Sequence, residues 1–143
     1  MISYESSVTI DRPAEVVFGF LIEPAKQALW SDVPMRKLTE GPLGDGSRME
    51  VTFAMGPIRA VVGLELGPVE PGRRMGFSTF SGPIRWDGEY RLAPTATGGT
   101  EVSQMGRLAF TGLWRAIEPL VGAEISKGEV KELERLKAAV EAG

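Results

Sequence analysis

The chain has 143 residues, of which 43% are hydrophobic and 24% charged, a composition that fits one globular domain over residues 1–143. It contains no Cys and no His, which excludes disulfides, Cys- or His-ligated metals, and Ser-His-Asp or Cys-His catalysis. The net charge of −3 argues against nucleic acid as a partner, because nucleic-acid-binding proteins usually carry a basic surface.

The first third of the chain predicts a strand followed by two short helices. Residues 2–10 are rich in β-branched residues and partly alternating, as in a strand. Pro13 suits a first helical turn, and apolar residues at helical spacing continue to Ile22. Pro24 interrupts this pattern and opens a second short helix that reaches Trp30. The interruption predicts two helices that meet at an angle.

The middle of the chain, from about Met35 to Phe110, predicts strands and turns. Apolar and polar residues alternate in segments at 47–55, 58–66, 75–79, 84–92 and 102–110. Alternation of this kind, with charged residues on the opposite face, is typical of an antiparallel sheet that is exposed on one side. We therefore expect about six antiparallel strands in this region.

The last segment, from Leu113 to Glu141, predicts one long helix. Its apolar residues form two stripes, first Ile117, Leu120, Val121 and Ile125, then Leu133, Leu136 and Val140. The stripes lie roughly 100° apart around a helix, so either the helix bends near Gly128 or its halves pack on different surfaces. About 30 helical residues span about 45 Å, which is long enough to cover the apolar face of the sheet.

The chain contains VTIDRPAEVVFGFLIEPAKQALW at 8–30 and ELERLKAAVEA at 132–142. With the order of elements, these segments resemble the SRPBCC superfamily (START-like, Bet v 1-like) and its polyketide cyclase/dehydrase and lipid-transport branch. The resemblance implies an α+β helix-grip fold, in which a curved antiparallel sheet of about seven strands wraps round a long C-terminal helix and two short helices follow the first strand. The superfamily includes lipid and hormone carriers, aromatic polyketide cyclases, plant allergens and chaperone activators, and the fold does not choose among them.

A curved sheet around one helix leaves a space in which we expect a ligand. The residues expected to line it are Trp30, Phe53, Phe77, Thr79, Trp86, Tyr90, Gln104, Leu120, Glu124 and Gly128. For the aromatic residues the alternative interpretation is core filling, and Trp30 is either a gate at the mouth or a plug. Thr79 and Gln104 require partners on an apolar face, which are each other, a water or a ligand oxygen. Tyr90 and Glu124 are the candidates for proton transfer, and the alternative for Glu124 is that it extends to solvent or pairs with a nearby base.

Three functions are compatible with these residues. The first is binding of an apolar or aromatic, lipid- or polyketide-like small molecule, favoured by an open apolar cavity. The second is a cyclase or dehydratase in the same cavity, favoured by a buried carboxylate beside a tyrosine. The third is an interaction module of the chaperone-activator kind, favoured by a filled interior and an exposed apolar patch.

The same residues lead to expectations about cofactors, assembly and location. Without His, Cys, clustered carboxylates or a phosphate-binding motif, we expect no metal and no cofactor. The start of the chain lacks the pattern of a signal peptide, and no apolar stretch approaches the roughly 18 residues of a membrane helix. We therefore expect a cytoplasmic protein without a membrane span, and the sequence is compatible with a monomer or a homodimer.

Overall fold

The computed structural model describes residues 1–31, 33–55 and 58–142, with the backbone alone for Met55 and Ile58. In chain order these residues form β1 (Ile2–Ile10), α1 (Ala14–Ile22), α2 (Pro24–Gln27), β2 (Met35–Lys37), β3 (Arg48–Met55), β4 (Ile58–Glu70), β5 (Arg74–Ser81), β6 (Ile84–Pro94), β7 (Thr100–Phe110), a 3-10 helix (Gly112–Ile117) and α3 (Glu118–Ala142). The order of elements confirms the predicted helix-grip fold.

The strands form one antiparallel sheet in the order β1-β7-β6-β5-β4-β3-β2. Chain neighbours pair from β2 to β7, whereas β1 pairs with the last strand, from Ile2 opposite Leu108 to Ile10 opposite Thr100. The sheet is therefore completed by a pairing between the two ends of the strand sequence. This pairing brings side chains that are far apart in the sequence onto one surface.

Alternation along each strand decides which side chains face α3. On β7 the buried positions are Thr100, Val102, Gln104, Gly106, Leu108 and Phe110. The opposite face carries ion pairs, among them Arg107–Asp87 and Arg48–Glu65, each with a nitrogen–oxygen distance of 3.2 Å. The sheet therefore has the apolar inner face and charged outer face that its sequence pattern predicts.

α3 is continuous from Glu118 to Ala142 and passes through Gly128 without a break. It begins later than predicted, because Gly112–Ile117 forms a 3-10 helix. Pro119 explains the boundary, since proline is tolerated in a first helical turn but disrupts a helix interior. Among the helices of the described residues, none is long and apolar enough to cross a bilayer.

One buried stripe, rather than two, runs along α3. The predicted second stripe is buried, with Leu133, Leu136 and Val140 at most 2% exposed. Of the predicted first stripe, Val121 and Ile125 are buried. At about 100° per residue, all five positions fall within an arc about 120° wide, so one face of a straight helix accommodates them.

The two short helices hold the segment after them against the core. α1 buries Val17, Phe18, Phe20 and Leu21, and α2 ends at Gln27, earlier than predicted. The indole Nε1 of Trp30 donates to the carbonyl of Phe20 at 2.7 Å, which ties the segment that follows α2 to α1. Arg135 Nε of α3 donates to the Trp30 carbonyl at 3.1 Å, so Trp30 is held from both sides.

Candidate functional site

Three polar side chains lie in a row across the inner face of the sheet. The β6–β7 register places Tyr90 opposite Gln104, and the β1–β7 register places Gln104 opposite Ser6. Directly paired residues on neighbouring strands point to the same face, so all three side chains are directed toward α3. Tyr90 is 7% exposed and Gln104 is 2% exposed. We call Ser6, Gln104 and Tyr90 the polar row.

Two carboxylates of α3 meet the polar row. The Tyr90 hydroxyl donates to Oε1 of Glu132 at 2.7 Å, and Glu132 is 9% exposed. The Gln104 amide nitrogen donates to Oε2 of Glu129. Residues three apart lie on the same side of a helix, which explains why both carboxylates reach the sheet. The Ser31 hydroxyl lies 3.4 Å from Oε2 of Glu132, so this carboxylate has contacts to two elements.

A cavity of about 60 Å³ lies beside the Tyr90–Glu132 pair. Its walls are otherwise mainly apolar and comprise Gln27, Trp30, Ser31, Val33, Met35, Met49, Leu64, Leu66, Met75 and Phe77. A surface pocket of about 300 Å³ shares the lining residues Gln27, Ser31, Val33, Met35 and Met49 with it. The shared residues mean that the pocket and the cavity adjoin.

Burial changes the protonation chemistry of this site. Burial first, and then the charge of Glu132, raises the pKa of Glu129 to about 8, so Glu129 is mostly protonated at neutral pH. The same two causes raise the pKa of Tyr90 well above its ordinary value of 10. Tyr90 is therefore a neutral hydroxyl, and Glu129 exchanges its proton close to neutral pH. The site is equipped to hold an oxygen atom and to move a proton.

Two glycines beside the polar row give space to two aromatic rings. The register runs from Tyr4 through Gly106 and Gly88 to Phe77, all on the inner face. A Cβ at position 88 would lie 2.9 Å from Cζ of Phe77, and one at position 106 would overlap the ring and hydroxyl of Tyr4. The rings of Phe77 and Tyr4 therefore lie over the backbone of Gly88 and Gly106. Any residue other than glycine at these two positions would place a side chain in the space of the rings.

The other aromatic residues predicted for the site pack against one another. Trp86 contacts Phe53 and Phe77 edge-on, with ring centroids 5.1 Å and 4.5 Å apart. Its indole nitrogen donates to the Tyr4 hydroxyl at 2.9 Å. Phe77 also lines the cavity, whereas Phe53 and Trp86 are not among the cavity-lining residues. Phe53 and Trp86 are partly buried and pack against the core.

The remaining predicted residues divide between the site and its surroundings. Trp30 and Tyr90 both line the cavity, and their rings meet edge-on with centroids 6.1 Å apart. Gln104 is engaged with Glu129. Thr79 lies outside the cavity lining, and its hydroxyl accepts a hydrogen bond from the Trp86 backbone nitrogen at 3.2 Å. The Thr79 hydroxyl therefore has its hydrogen-bond partner in the backbone of β6.

Three predicted residues lie on the solvent side of α3. Leu120 is 78% exposed, and Glu124 and Gly128 are also exposed. The expectation that they face the interior is wrong, because Leu120 and Glu124 lie more than about 100° around the helix from Leu136, the centre of the buried arc. A Cβ at position 128 meets no atom of the described residues within 4 Å, so Gly128 does not border the core.

Glu129 and Glu132 are the functional candidates that the sequence analysis missed. The signal was present, because at about 100° per residue both carboxylates fall inside the arc of Val121, Leu136 and Val140. Grouping the apolar residues into two stripes obscured this arc. Ser6 was missed for another reason: its importance depends on the residue that β7 places opposite it.

Comparison with known proteins agrees with this architecture. In structure, the chain resembles TTHA0849 from Thermus thermophilus, with 16% identity, coverage of 98% and 97% of the two chains and a TM-score of 0.80. It also resembles the ZhuI aromatase/cyclase from Streptomyces sp. R1128, with 14% identity, coverage of 97% and 93% and a TM-score of 0.77. At these identities the likeness shows the fold alone.

A search of curated protein sequences found no match. The family model described as polyketide cyclase / dehydrase and lipid transport matches residues 1–141. The sequence match thus covers nearly the whole chain, including β1, β7 and α3, which together carry most of the polar row and both of its carboxylates. The chain belongs to the polyketide cyclase/dehydrase and lipid transport family.

Proposed function

We propose that this protein binds an apolar, oxygen-bearing small molecule between the sheet and α3. The observation that carries the proposal is the buried Tyr90–Glu132 hydrogen bond in the wall of a mainly apolar cavity. Polar groups are costly to bury, and a few of them in an apolar cavity orient a ligand. The family description, which covers lipid transport as well as cyclases, supports a ligand of this class.

The size of the cavity determines how the ligand enters. The inner cavity, at about 60 Å³, is smaller than a ring compound, whereas the adjoining pocket has about 300 Å³. We infer that a ligand occupies both by displacing the side chains that separate them. Met35 and Met49 line both spaces, and methionine is unbranched and adapts its shape readily.

Acid–base catalysis in the same cavity is the second candidate function. The observation that favours it is Glu129, a carboxyl group with a pKa raised to about 8, three residues from the carboxylate that holds Tyr90. An acid of this pKa donates and accepts protons at neutral pH. In the dehydration of a β-hydroxyketone, Glu132 in the cavity wall would take the proton from the carbon beside the ketone, and Glu129 would protonate the hydroxyl, which leaves as water while the carbon–carbon double bond forms. Binding is the step that both functions share.

Titration calorimetry with 2-acetylnaphthalene, an apolar ketone, tests the binding proposal. We expect a micromolar dissociation constant, equivalent to about −8 kcal/mol. Tyr90→Phe should weaken binding about five- to tenfold, since in the complex the Tyr90 hydroxyl turns its single hydrogen from Glu132 to the ketone oxygen, and Phe cannot make this hydrogen bond. Thr79→Val is the matched control, because Thr79 lies outside the cavity lining, and it should leave the affinity unchanged.

Two outcomes would overturn the binding proposal. The first is that neither 2-acetylnaphthalene nor any other ring compound of a broad screen binds. The second is that Tyr90→Phe and Thr79→Val bind the ketone equally well while both remain folded by circular dichroism. The catalytic candidate has its own test, in which the loss of water from a bound β-hydroxyketone is followed in the parent and in Glu129→Gln.

A further inference from the structure

Two buried polar atoms of the polar row are left without a hydrogen-bond partner in the described parts of the chain. They are the hydroxyl oxygen of Ser6 and the amide oxygen of Gln104. Native proteins pair nearly all of their buried polar groups, because an unpaired one loses its hydration without compensation. These two atoms therefore need an explanation that the fold does not supply.

The register of the sheet makes the two residues neighbours. Ser6 and Gln104 are direct partners across β1 and β7, and both face α3. The amide nitrogen of Gln104 is held by Glu129, which leaves the amide oxygen as an acceptor on a fixed side chain. Beside it stands a serine hydroxyl, which both donates and accepts. One small group with a donor and an acceptor would satisfy both atoms.

We propose that Ser6 and Gln104 form a second polar site that selects ligands carrying a hydroxyl group. This inference rests on the proposed function and names the class of ligand more closely. A ligand hydroxyl donates its hydrogen to the amide oxygen of Gln104 and accepts the hydrogen of Ser6. An ether of the same shape has no hydrogen to donate, so it leaves the Gln104 oxygen unpaired.

Ser6 and Gln104 lie beyond the residues that line the cavity, so a ligand that reaches them from Tyr90 must be elongated. Tyr90 lines the cavity and lies opposite Gln104, one strand away from it. Adjacent strands are about 4.8 Å apart, so Ser6 lies about 10 Å from Tyr90 across the sheet. A neutral hydroxyl also suits the neighbouring Glu129 better than an ammonium group does, because the raised pKa leaves Glu129 mostly uncharged at neutral pH.

The experiment compares 2-naphthol with 2-methoxynaphthalene by titration calorimetry at pH 7. We expect the parent protein to bind 2-naphthol about tenfold more tightly than 2-methoxynaphthalene, because a tenfold difference corresponds to about one buried hydrogen bond. Ser6→Ala should weaken the binding of both compounds about three- to fivefold, because each offers an oxygen that accepts the hydrogen of Ser6. Ser7→Ala is the matched control, because Ser7 is the next residue of β1 and is exposed, and it should keep the affinity of the parent for both compounds.

The outcomes separate this inference from the proposed function. Equal affinities of the two compounds for the parent protein, or affinities that Ser6→Ala leaves unchanged, would overturn the second polar site and leave the binding function intact. Failure of both compounds to bind would overturn the proposed function itself. Urea unfolding verifies that Ser6→Ala is folded, and its midpoint should not fall, because the substitution removes an unpaired polar atom.

Discussion

Glu132 and Leu136 stand one turn apart on the same side of α3, yet they serve different purposes. Glu132 is 9% exposed and accepts a hydrogen bond from Tyr90, whereas Leu136 is fully buried. Both positions face the sheet because of where they fall on the helix, and the residue type plays no part in that. One face of α3 thus combines a stabilising segment around Leu136 with a polar segment around Glu132. Hydrogen-bond partners on the sheet offset the cost of burying the polar segment.

The stabilising segment should give the largest effect on substitution. We expect Leu136→Ala to lower the free energy of unfolding by about 2–5 kcal/mol, because it leaves a cavity in a packed core. Leu120→Ala, on the same helix but 78% exposed, should change it by less than about 0.5 kcal/mol. Urea denaturation of both variants measures this difference. Similar losses of unfolding free energy in the two variants would mean that α3 does not pack on the sheet through the arc centred on Leu136.

The row of glycines and rings beside the polar row should give a smaller effect. Gly106→Ala should lower the free energy of unfolding by about 1–3 kcal/mol, because its Cβ would overlap the Tyr4 ring. At Gly128 a Cβ meets no described atom within 4 Å, so Gly128→Ala should instead stabilise α3 by about 0.5–1 kcal/mol. Thermal and urea unfolding compare the two variants. The prediction fails if Gly106→Ala is as stable as the parent.

The polar segment should be distinguished by its pH dependence. Burial raises the pKa of Glu129 from 4.5 to about 8, so the folded protein holds this proton over a range in which the unfolded chain has released it. The contribution of Glu129 to stability therefore falls as the pH rises from about 4.5 to about 8, and it is retained below that range. Glu129→Gln should remove this decline.

Urea unfolding at several pH values between about 5 and 8 measures the decline. Glu124→Gln is the matched control for Glu129→Gln, since Glu124 is an exposed glutamate on the same helix, and it should keep the decline of the parent. An unchanged pH dependence in Glu129→Gln would show that this carboxyl group is solvated in the folded protein.

Periodicity was sufficient to predict most of the elements. The alternation of β6 correctly placed Trp86 and Tyr90 on one face, and Pro24 correctly marked the break between α1 and α2. The boundaries were less accurate where a local signal was weak, as at the start of α3, where a 3-10 helix precedes Glu118. Repeating side-chain patterns are strong in the middle of an element, whereas its ends depend on the few residues around them.

The same reasoning was less successful for the site. Trp30, Phe77 and Tyr90 line the cavity, and their contact with a ligand stays a prediction. Leu120 and Glu124 were misplaced, because apolar residues alone were used to find the buried face of α3. Charged residues are rarely buried, so a carboxylate within a buried arc is easily overlooked unless its partner is known.

By itself the sequence determined the elements and the inner and outer faces of the strands, because these follow from the spacing of residues along a helix or strand. Only the tertiary structure decided that Ser6 lies opposite Gln104, and that Tyr90 and Gln104 meet Glu132 and Glu129. These pairings depend on the strand register and on the position of α3 on the sheet. Both are set by the packing of the whole core, so no local pattern could reveal the polar site.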